Sequence, residues 1–239
     1  IINGAIAGGV LECNEIAVAD PEETSREYFE EIGCATTASA SDLSEAPCVL
    51  LSIKPQVFDD IAKEINAELI YSIMAGVTTD RIARAVGHSR IVRIMPNLPC
   101  SIGYGATGIA LGKSASDEDA ALANELFSQI GSVTEVSEDL MDAVTGVSGS
   151  GPAYLFLLAE SMIEGGVKSG LDLDTANVLV RQTLLGASAL LLQDERSASE
   201  LREAVTSKGG TTAAALDVMD NRHVFDAIVD AIVAARDRG

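Results

Sequence analysis

The chain has 239 residues, enough for one large domain or two smaller domains that each bury a hydrophobic core. Its 36 acidic and 16 basic side chains give a net charge of −20. This balance argues against a nucleic-acid-binding protein, because phosphate binding needs clustered Lys and Arg. Two explanations of the acidity stay open, adaptation to a salty medium and colloidal repulsion.

Hydrophobic residues make up 47% of the chain, yet no uninterrupted apolar run approaches the roughly 20 residues that span a bilayer. We therefore expect a soluble, cytoplasmic protein without a membrane partner. The four cysteines lack Cys-x-x-Cys spacing, and the two histidines are isolated from them and from each other. The sequence thus predicts neither a metal site nor a disulfide framework, and it favours reduced thiols.

Short apolar runs alternate with amphipathic stretches between residues 15 and 136. Because the apolar runs are continuous, they predict strands covered on both faces, and hence a doubly wound α/β domain. The predicted strands are Ile16–Ala19, Cys48–Ile53, Leu69–Met74, Ile91–Met95, Thr107–Leu111 and Val133–Val136, with a weaker edge strand at Cys34–Thr36. The predicted helices are Glu22–Glu31, Val57–Ile65, Thr79–Val86 and Asp117–Ile130.

The alternation stops near residue 137, and everything after it is predicted to be helical, so we divide the chain into domains 1–137 and 138–239. Gly165-Gly166 predicts a helix break, and Asp174 is predicted to cap a helix that runs to about Leu192. That helix is apolar or small nearly all round, so it must be buried on every side. Since about 100 residues cannot cover it alone, we predict an obligate dimer with interlocked helices.

Ser197 and Glu200 fit a capping box that opens a short helix ending at Val205. The turn that follows, 206–212, predicts a binding site for a small anion. Gly209 and Gly210 let the backbone come close to a ligand, and the N–H groups of the next helix point into the turn. An ordinary corner between two helices, with Thr211 as N-cap, explains the same residues equally well.

This turn also carries a resemblance to a known family. Thr206-Ser207-Lys208-Gly209-Gly210-Thr211-Thr212, followed by Ala215-Leu216, resembles the signature of the pyrroline-5-carboxylate reductases, which complete proline synthesis. Four further segments agree in the same order and extend the resemblance over almost the whole chain: Ser52-Ile53-Lys54-Pro55-Gln56, Ala75-Gly76-Val77-Thr78, Met95-Pro96-Asn97 and Ser148-Gly149-Ser150-Gly151-Pro152-Ala153-Tyr154. The chain departs from the family at Lys208, where proline is usual; lysine adds positive charge beside the anion site.

The resemblance implies a Rossmann-like dinucleotide-binding domain followed by an all-α dimerisation domain, in dimers that often assemble further. It implies reduction of 1-pyrroline-5-carboxylate to L-proline with hydride from NADPH or NADH. The substrate carboxylate would be held by Ser207, Gly209, Gly210 and Thr211. The Thr212 hydroxyl would approach the ring nitrogen, as hydrogen-bond partner or proton relay. Glu195 matches an acidic position in some relatives and would help to stabilise the iminium, although an exposed helix-end glutamate is the alternative.

Three predicted strands end at one sheet edge, where open α/β sheets bind ligands. By resemblance, the cofactor lies against the backbone that follows the strand at 48–53. Small residues after the strand at 69–74 would admit the nicotinamide ring, and an asparagine after the strand at 91–95 would orient the carboxamide of that ring. The residues are Ser52, Ile53, Lys54 and Pro55, then Ala75 and Gly76, then Asn97. Taken separately, each of these segments is also explained as an ordinary turn.

Asp20 follows the strand after which an acidic residue commonly holds the adenosine ribose hydroxyls. That role favours NADH, because a carboxylate repels the extra phosphate of NADPH, whereas most family members accept NADPH. Ser39 stands where the family often has an asparagine near that phosphate. The alternative is that Asp20-Pro21 only caps the next helix.

Residues 1–9 predict the middle and end of a helix, and the chain lacks an initiating Met. The resemblance implies that the first strand and the glycine-rich phosphate loop precede it, on the order of 15–20 residues. Two other functions compete. A hydroxyacid dehydrogenase of related architecture would use Lys168 but leaves the Gly209-Gly210 turn without a role. A non-catalytic dinucleotide-binding protein is suggested by the missing phosphate loop.

Overall fold

A computed structural model describes residues 1–43 and 45–239. The chain divides into two compact units, one of Ile1–Ser150 with Ala235–Gly239 and one of Gly151–Ala234. The predicted division into domains 1–137 and 138–239 stays a prediction. The helices are α1 (Ile2–Ala7), α2 (Glu23–Glu31), α3 (Phe58–Ile61), α4 (Thr79–Val86), α5 (Asp117–Ser128), α6 (Met141–Val144), α7 (Gly151–Lys168), α8 (Leu173–Gln193), α9 (Ala198–Ala204), α10 (Thr211–Asn221) and α11 (Val224–Arg238).

The strands of the first unit are β1 (Ala17–Ala19), β2 (Ala35–Thr37), β3 (Cys48–Leu51), β4 (Leu69–Ser72), β5 (Ile91–Met95), β6 (Gly105–Leu111) and β7 (Gly131–Glu135). β1 and β2 form a parallel pair, and the other five form one sheet in the order β3-β4-β5-β6-β7. β3, β4 and β5 are parallel to one another, whereas β6 is antiparallel to β5. The carboxyl ends of β3, β4 and β5 therefore lie at one edge of the sheet.

Both faces of the five-stranded sheet are covered. Ile70 and Ile91 belong to one hydrophobic cluster with Phe58 of α3, while their sequence neighbours Tyr71 and Val92 belong to a second cluster with α5. Since successive side chains of a strand point to opposite faces, the two clusters fill the two sides of the sheet. This confirms the doubly wound α/β fold that the continuous apolar runs predicted.

The structure corrects the predictions made for α3 and for the start of α8. The stretch predicted as a helix at Val57–Ile65 is a short helix, α3, between the 3-10 turns Pro55–Val57 and Ala62–Glu64. Asp172, not Asp174, caps α8: its backbone is extended and its carboxylate accepts the Thr175 N–H at 2.9 Å, the geometry that an N-cap requires.

Gly165-Gly166 does not break the helix, because α7 continues to Lys168. A Cβ at Gly166 would lie 3.2 Å from the Ala176 Cβ of α8. The glycine therefore lets α7 pack closely on α8. From the sequence alone, a glycine that permits close helix packing cannot be distinguished from one that breaks a helix. The capping box of Ser197 and Glu200 is confirmed at the start of α9.

Most of α8 is uncovered in the single chain. Only Ala176 and Val180 are buried, while Val178, Leu185 and Leu192 are 66%, 62% and 86% exposed. Among the described residues, α8 is also the one helix whose length and apolar composition would allow it to cross a membrane. An exposed apolar surface of this extent marks an interaction site.

Asp119 is a buried carboxylate that links α5 to the amino end of β5. It accepts hydrogen bonds from the Arg90 guanidinium at 2.9 and 3.0 Å and from the Ser116 N–H at 3.0 Å, the latter closing the capping box of α5. The hydrogen bonds from Arg90 are the main reason why the pKa of Asp119 lies below its usual range.

Asp119→Asn is expected to lower the free energy of unfolding at neutral pH by about 2–3 kcal/mol, because an amide cannot accept with both of its polar atoms. A carboxyl group with a lowered folded pKa stabilises above its unfolded pKa, and that stability is lost as pH falls through the folded pKa. The difference between wild type and variant should therefore shrink below about pH 4. Urea unfolding across this range measures it, with exposed Asp117→Asn as control. An equal difference at every pH would contradict the assignment.

Candidate active site

The parallel strands bring the predicted cofactor residues to one edge of the sheet. Residues 52–55 follow β3, residues 75 and 76 follow β4, and Asn97 follows β5. The side chains of Ser52 and Lys54 are exposed there, as are Ala75 and Gly76. Gly76 has φ of +69°, a conformation that favours glycine. This edge therefore presents backbone and small residues to a flat ligand.

Asn97 is held by two backbone groups. Its Oδ1 accepts the Ala106 N–H at 2.9 Å, and its Nδ2 donates to the Ser148 carbonyl at 3.0 Å. The Cys100 thiol also donates to Oδ1 at 4.0 Å, so that one N–H of the amide remains available by valence. The structure thus gives Asn97 a bracing role, while the carboxamide contact that the resemblance implied stays a prediction.

Asp20 fixes the turn ahead of α2 but does not cap that helix as the alternative predicted, because the N-cap is Glu22 and it has no side-chain cap. Its carboxylate accepts the Glu22 N–H at 2.9 Å and the Ser25 hydroxyl at 2.8 Å, just ahead of α2. Arg26 donates to the Asp20 carbonyl at 2.8 Å, which further fixes this corner. A ribose contact by Asp20 would be made by a carboxylate already oriented in this way. Ser39 follows the end of β2, with its hydroxyl 2.8 Å from that of Ser41.

The predicted anion site is a tight turn between α9 and α10. Gly209 has φ of +70°, which favours glycine, and a Cβ at Gly210 would lie 2.2 Å from the Ser207 Oγ, so a side chain there would displace the Ser207 hydroxyl from its position in the turn. Gly210, not Thr211, is the N-cap of α10, and it has an extended backbone without a side-chain cap. The corner capped by Thr211, the alternative considered above, is therefore not what forms.

The start of α10 has the donors that an anion needs. The first carbonyl of its hydrogen-bond ladder is that of Gly210, which accepts from the Ala214 N–H at 3.2 Å. The N–H groups of Thr211, Thr212 and Ala213 consequently have no carbonyl partner four residues back within the helix. Together with the helix dipole, they favour a carboxylate in this turn.

The remaining predicted residues differ in their surroundings. Thr212 is half-buried in the first turn of α10, whereas Ser207 and Lys208 are exposed in the turn itself. Glu195 is exposed in the bend between α8 and α9, outside the Ser207–Thr212 turn. Lys168 is 74% exposed and pairs with Glu164 at 2.5 Å, a solvated helix-end contact.

A buried cluster around Arg93 was missed by the sequence reasoning. Arg93 of β5 is 3% exposed, and its guanidinium lies 3.1 Å from the Asp142 carboxylate and 4.0 Å from that of Glu138. Glu138 in turn accepts the Thr79 N–H at 2.6 Å. The signal was a charge inside the apolar run of residues 91–95, since a buried charge needs a partner.

Comparison with known proteins fits this arrangement. A family model described as pyrroline-5-carboxylate reductase dimerisation matches residues 138–239, and one described as NADP oxidoreductase coenzyme F420-dependent matches residues 1–76. The chain is 39% identical over 243 residues to the pyrroline-5-carboxylate reductase of Synechocystis, covering 98% of this chain and 90% of that protein. The chain belongs to the pyrroline-5-carboxylate reductase family. The family member of Pisum sativum is 36% identical over 244 residues, which cover 100% of this chain and 89% of the relative.

Solved structures of the family agree with the fold. The pyrroline-5-carboxylate reductase of Coxiella burnetii superposes with a TM-score of 0.88 at 36% identity, over 99% of this chain and 91% of that one. The Plasmodium falciparum family member, solved with NADP bound, gives a TM-score of 0.88 at 26% identity, over 98% and 90%. The expected combination of a Rossmann-like domain and a helical dimerisation region is thereby confirmed.

Proposed function

We propose that this chain reduces 1-pyrroline-5-carboxylate to L-proline with NADPH or NADH, the last step of proline biosynthesis. The observation that carries the proposal is the Ser207–Thr212 turn, which combines Gly209 at a positive φ and the adjacent Gly210 with the N–H groups of a helix start, inside the region that matches the family's dimerisation model. A substrate with one carboxylate beside a cyclic imine fits such a turn.

The residues at the carboxyl edge of β3, β4 and β5 fit a dinucleotide. Exposed backbone at Ala75 and Gly76, with a positive φ at Gly76, leaves room for a nicotinamide ring, and residues 52–55 would lie along the rest of the molecule. NADPH or NADH supplies the hydride when bound. The protein itself would contribute by holding the imine carbon in the orientation in which it can accept that hydride.

The substrate would be fixed through its carboxylate by the N–H groups around Gly209, Gly210 and Thr211 and by the Ser207 hydroxyl. This places the ring nitrogen within reach of the Thr212 hydroxyl, which orients it by a hydrogen bond or relays a proton from water. Threonine is a weak acid, so the imine arrives protonated or takes its proton through water. Lys208 adds a positive charge beside the carboxylate, and Glu195 is a further candidate for stabilising the iminium.

Self-association follows from the family's dimerisation region, and we propose an obligate homodimer that assembles further. The apolar side chains of α8, which the single chain leaves exposed, would be covered by a second copy instead of by lipid. We further propose a cytoplasmic protein with no nucleic-acid partner, in keeping with its net charge of −20.

The proposal is tested by following the absorbance of NADPH and of NADH when the protein meets 1-pyrroline-5-carboxylate. Consumption of reduced cofactor with formation of proline is expected. The ratio of the two rates also reports on Asp20. A carboxylate that binds the ribose favours NADH, whereas a carboxylate that only fixes the turn ahead of α2 does not change the preference between NADH and NADPH. Turnover of hydroxyacids instead of the imine would favour the dehydrogenase alternative, and cofactor binding without any turnover would favour a non-catalytic protein.

A further inference from the structure

A π-helical turn, Thr145–Gly149, lies against the carboxyl end of β5. Its widened geometry is shown by the Ser150 N–H, which donates to the Thr145 carbonyl five residues back at 2.8 Å. A Cβ at Gly149 would lie 2.9 Å from the Cε of Met95, so the turn and the strand end are in close contact. Single π-helical turns are costly and occur often at functional sites.

Asn97 joins three separate elements at this point. Its amide accepts from Ala106 at the start of β6 and donates to the Ser148 carbonyl of the π-helical turn, while its own backbone continues from β5. A backbone N–H faces one end of the amide and a backbone carbonyl faces the other. The amide therefore has a single orientation that satisfies both partners, and aspartate could satisfy only one of them.

The segment that contains the turn is anchored to the sheet elsewhere as well. Arg93 pairs with Asp142 at 3.1 Å, and a Cβ at Gly108 of β6 would lie 2.7 Å from the Cγ1 of Val144. α6 and the π-helical turn thus rest on β5 and β6 with little space between them. Asn97 connects the end of β5 to the π-helical turn by its hydrogen bond to Ser148, next to the proposed position of the nicotinamide.

We propose that Asn97 is a positioning residue for hydride transfer, which fixes residues 95–97 against the π-helical turn and does not act through a bond to the nicotinamide carboxamide. This inference rests on the proposed reductase function. Loss of the brace would let the strand end shift, and small displacements of the reacting groups reduce the rate more than they reduce cofactor binding.

The test compares Asn97→Asp and Asn97→Ala with wild type. In Asn97→Asp, an oxygen replaces the donor that faces the Ser148 carbonyl. Both variants are expected to lose at least about tenfold in kcat, while the Kd of NADPH, measured by its fluorescence, changes by less than about threefold. Ser148→Ala is the control, because it removes a hydroxyl that bonds the Val144 carbonyl and leaves the Ser148 carbonyl in place. Should Asn97→Ala fail to fold, Asn97→Ser replaces it.

A second measurement separates bracing from direct contact. Each variant is assayed with two reduced analogues of the cofactor, the 3-acetylpyridine form, which lacks the carboxamide NH₂, and the thionicotinamide form, in which sulfur replaces the carboxamide oxygen that a free Asn97 N–H would bind. Bracing predicts that the effects of variant and analogue on kcat multiply, within about twofold. A smaller combined effect would show that Asn97 bonds the carboxamide, and near-normal kcat in Asn97→Asp would equally overturn the inference. Wild-type protein inactive with both cofactors would remove the reductase proposal itself, and this inference with it.

Discussion

Replacing Thr212 by alanine is expected to lower kcat by more than about tenfold, which is at least about 1.4 kcal/mol of transition-state stabilisation. Thr212 lies in the first turn of α10, one residue beyond the Thr211 N–H that would bind the carboxylate. We propose that its hydroxyl meets the ring nitrogen. Removing it should affect turnover more than substrate affinity, because the carboxylate keeps its backbone donors.

Two further substitutions sharpen this test. Thr212→Val keeps the branched shape but removes the hydroxyl, so it should be as impaired as the alanine variant. Thr212→Ser keeps the hydroxyl and should recover most of the activity. Size-exclusion chromatography should show the same assembly for all of them. Near-normal kcat in Thr212→Ala or Thr212→Val would remove Thr212 from the mechanism.

The double substitution Glu138→Gln with Asp142→Asn is expected to lower the free energy of unfolding by about 3–5 kcal/mol. The reason is that Arg93, which is 3% exposed, would keep its charge without a carboxylate partner. Adding Arg93→Met to the pair should restore most of the loss, since an apolar side chain of similar length costs little in a buried position. Urea unfolding measures all three proteins.

The matched control is an ion pair at the surface. Asp59→Asn breaks the contact between Asp59 and Arg81, which are 71% and 42% exposed. It should lower the free energy of unfolding by less than about 1 kcal/mol. A double variant no less stable than this control would show that Arg93 gains nothing from its carboxylates. The Arg93 cluster would then not anchor α6 to the sheet.

The sequence predicted the sheet well because its signal is local. Residues 91–95 form an apolar run interrupted only by Arg93, and β5 begins and ends where that run does. The order of parallel strands then placed Lys54, Gly76 and Asn97 at one edge without further information. The glycine turn was equally predictable, because its steric demands arise within seven residues.

What the sequence could not give depends on partners far along the chain. Asn97 bonds residues 9 and 51 positions away, so its bracing role and the π-helical turn arise only in the folded chain. The N-cap of α8 was misplaced because Asp172 and Asp174 offer the same oxygens, and only backbone geometry selects between them. Asp20 shows the same limit, since its contacts in the turn ahead of α2 and a ribose contact call for the same residue type.

The central claim is hydride transfer from a reduced nicotinamide to the imine carbon of pyrroline-5-carboxylate. The most direct measurement supplies cofactor in which both hydrogens at C4 of the reduced nicotinamide are replaced by deuterium, and determines the position of the label in the product by mass spectrometry. The account predicts proline with deuterium on the ring carbon next to nitrogen that does not bear the carboxylate. Unlabelled proline, label at the carboxylate-bearing carbon, or no proline at all would contradict it.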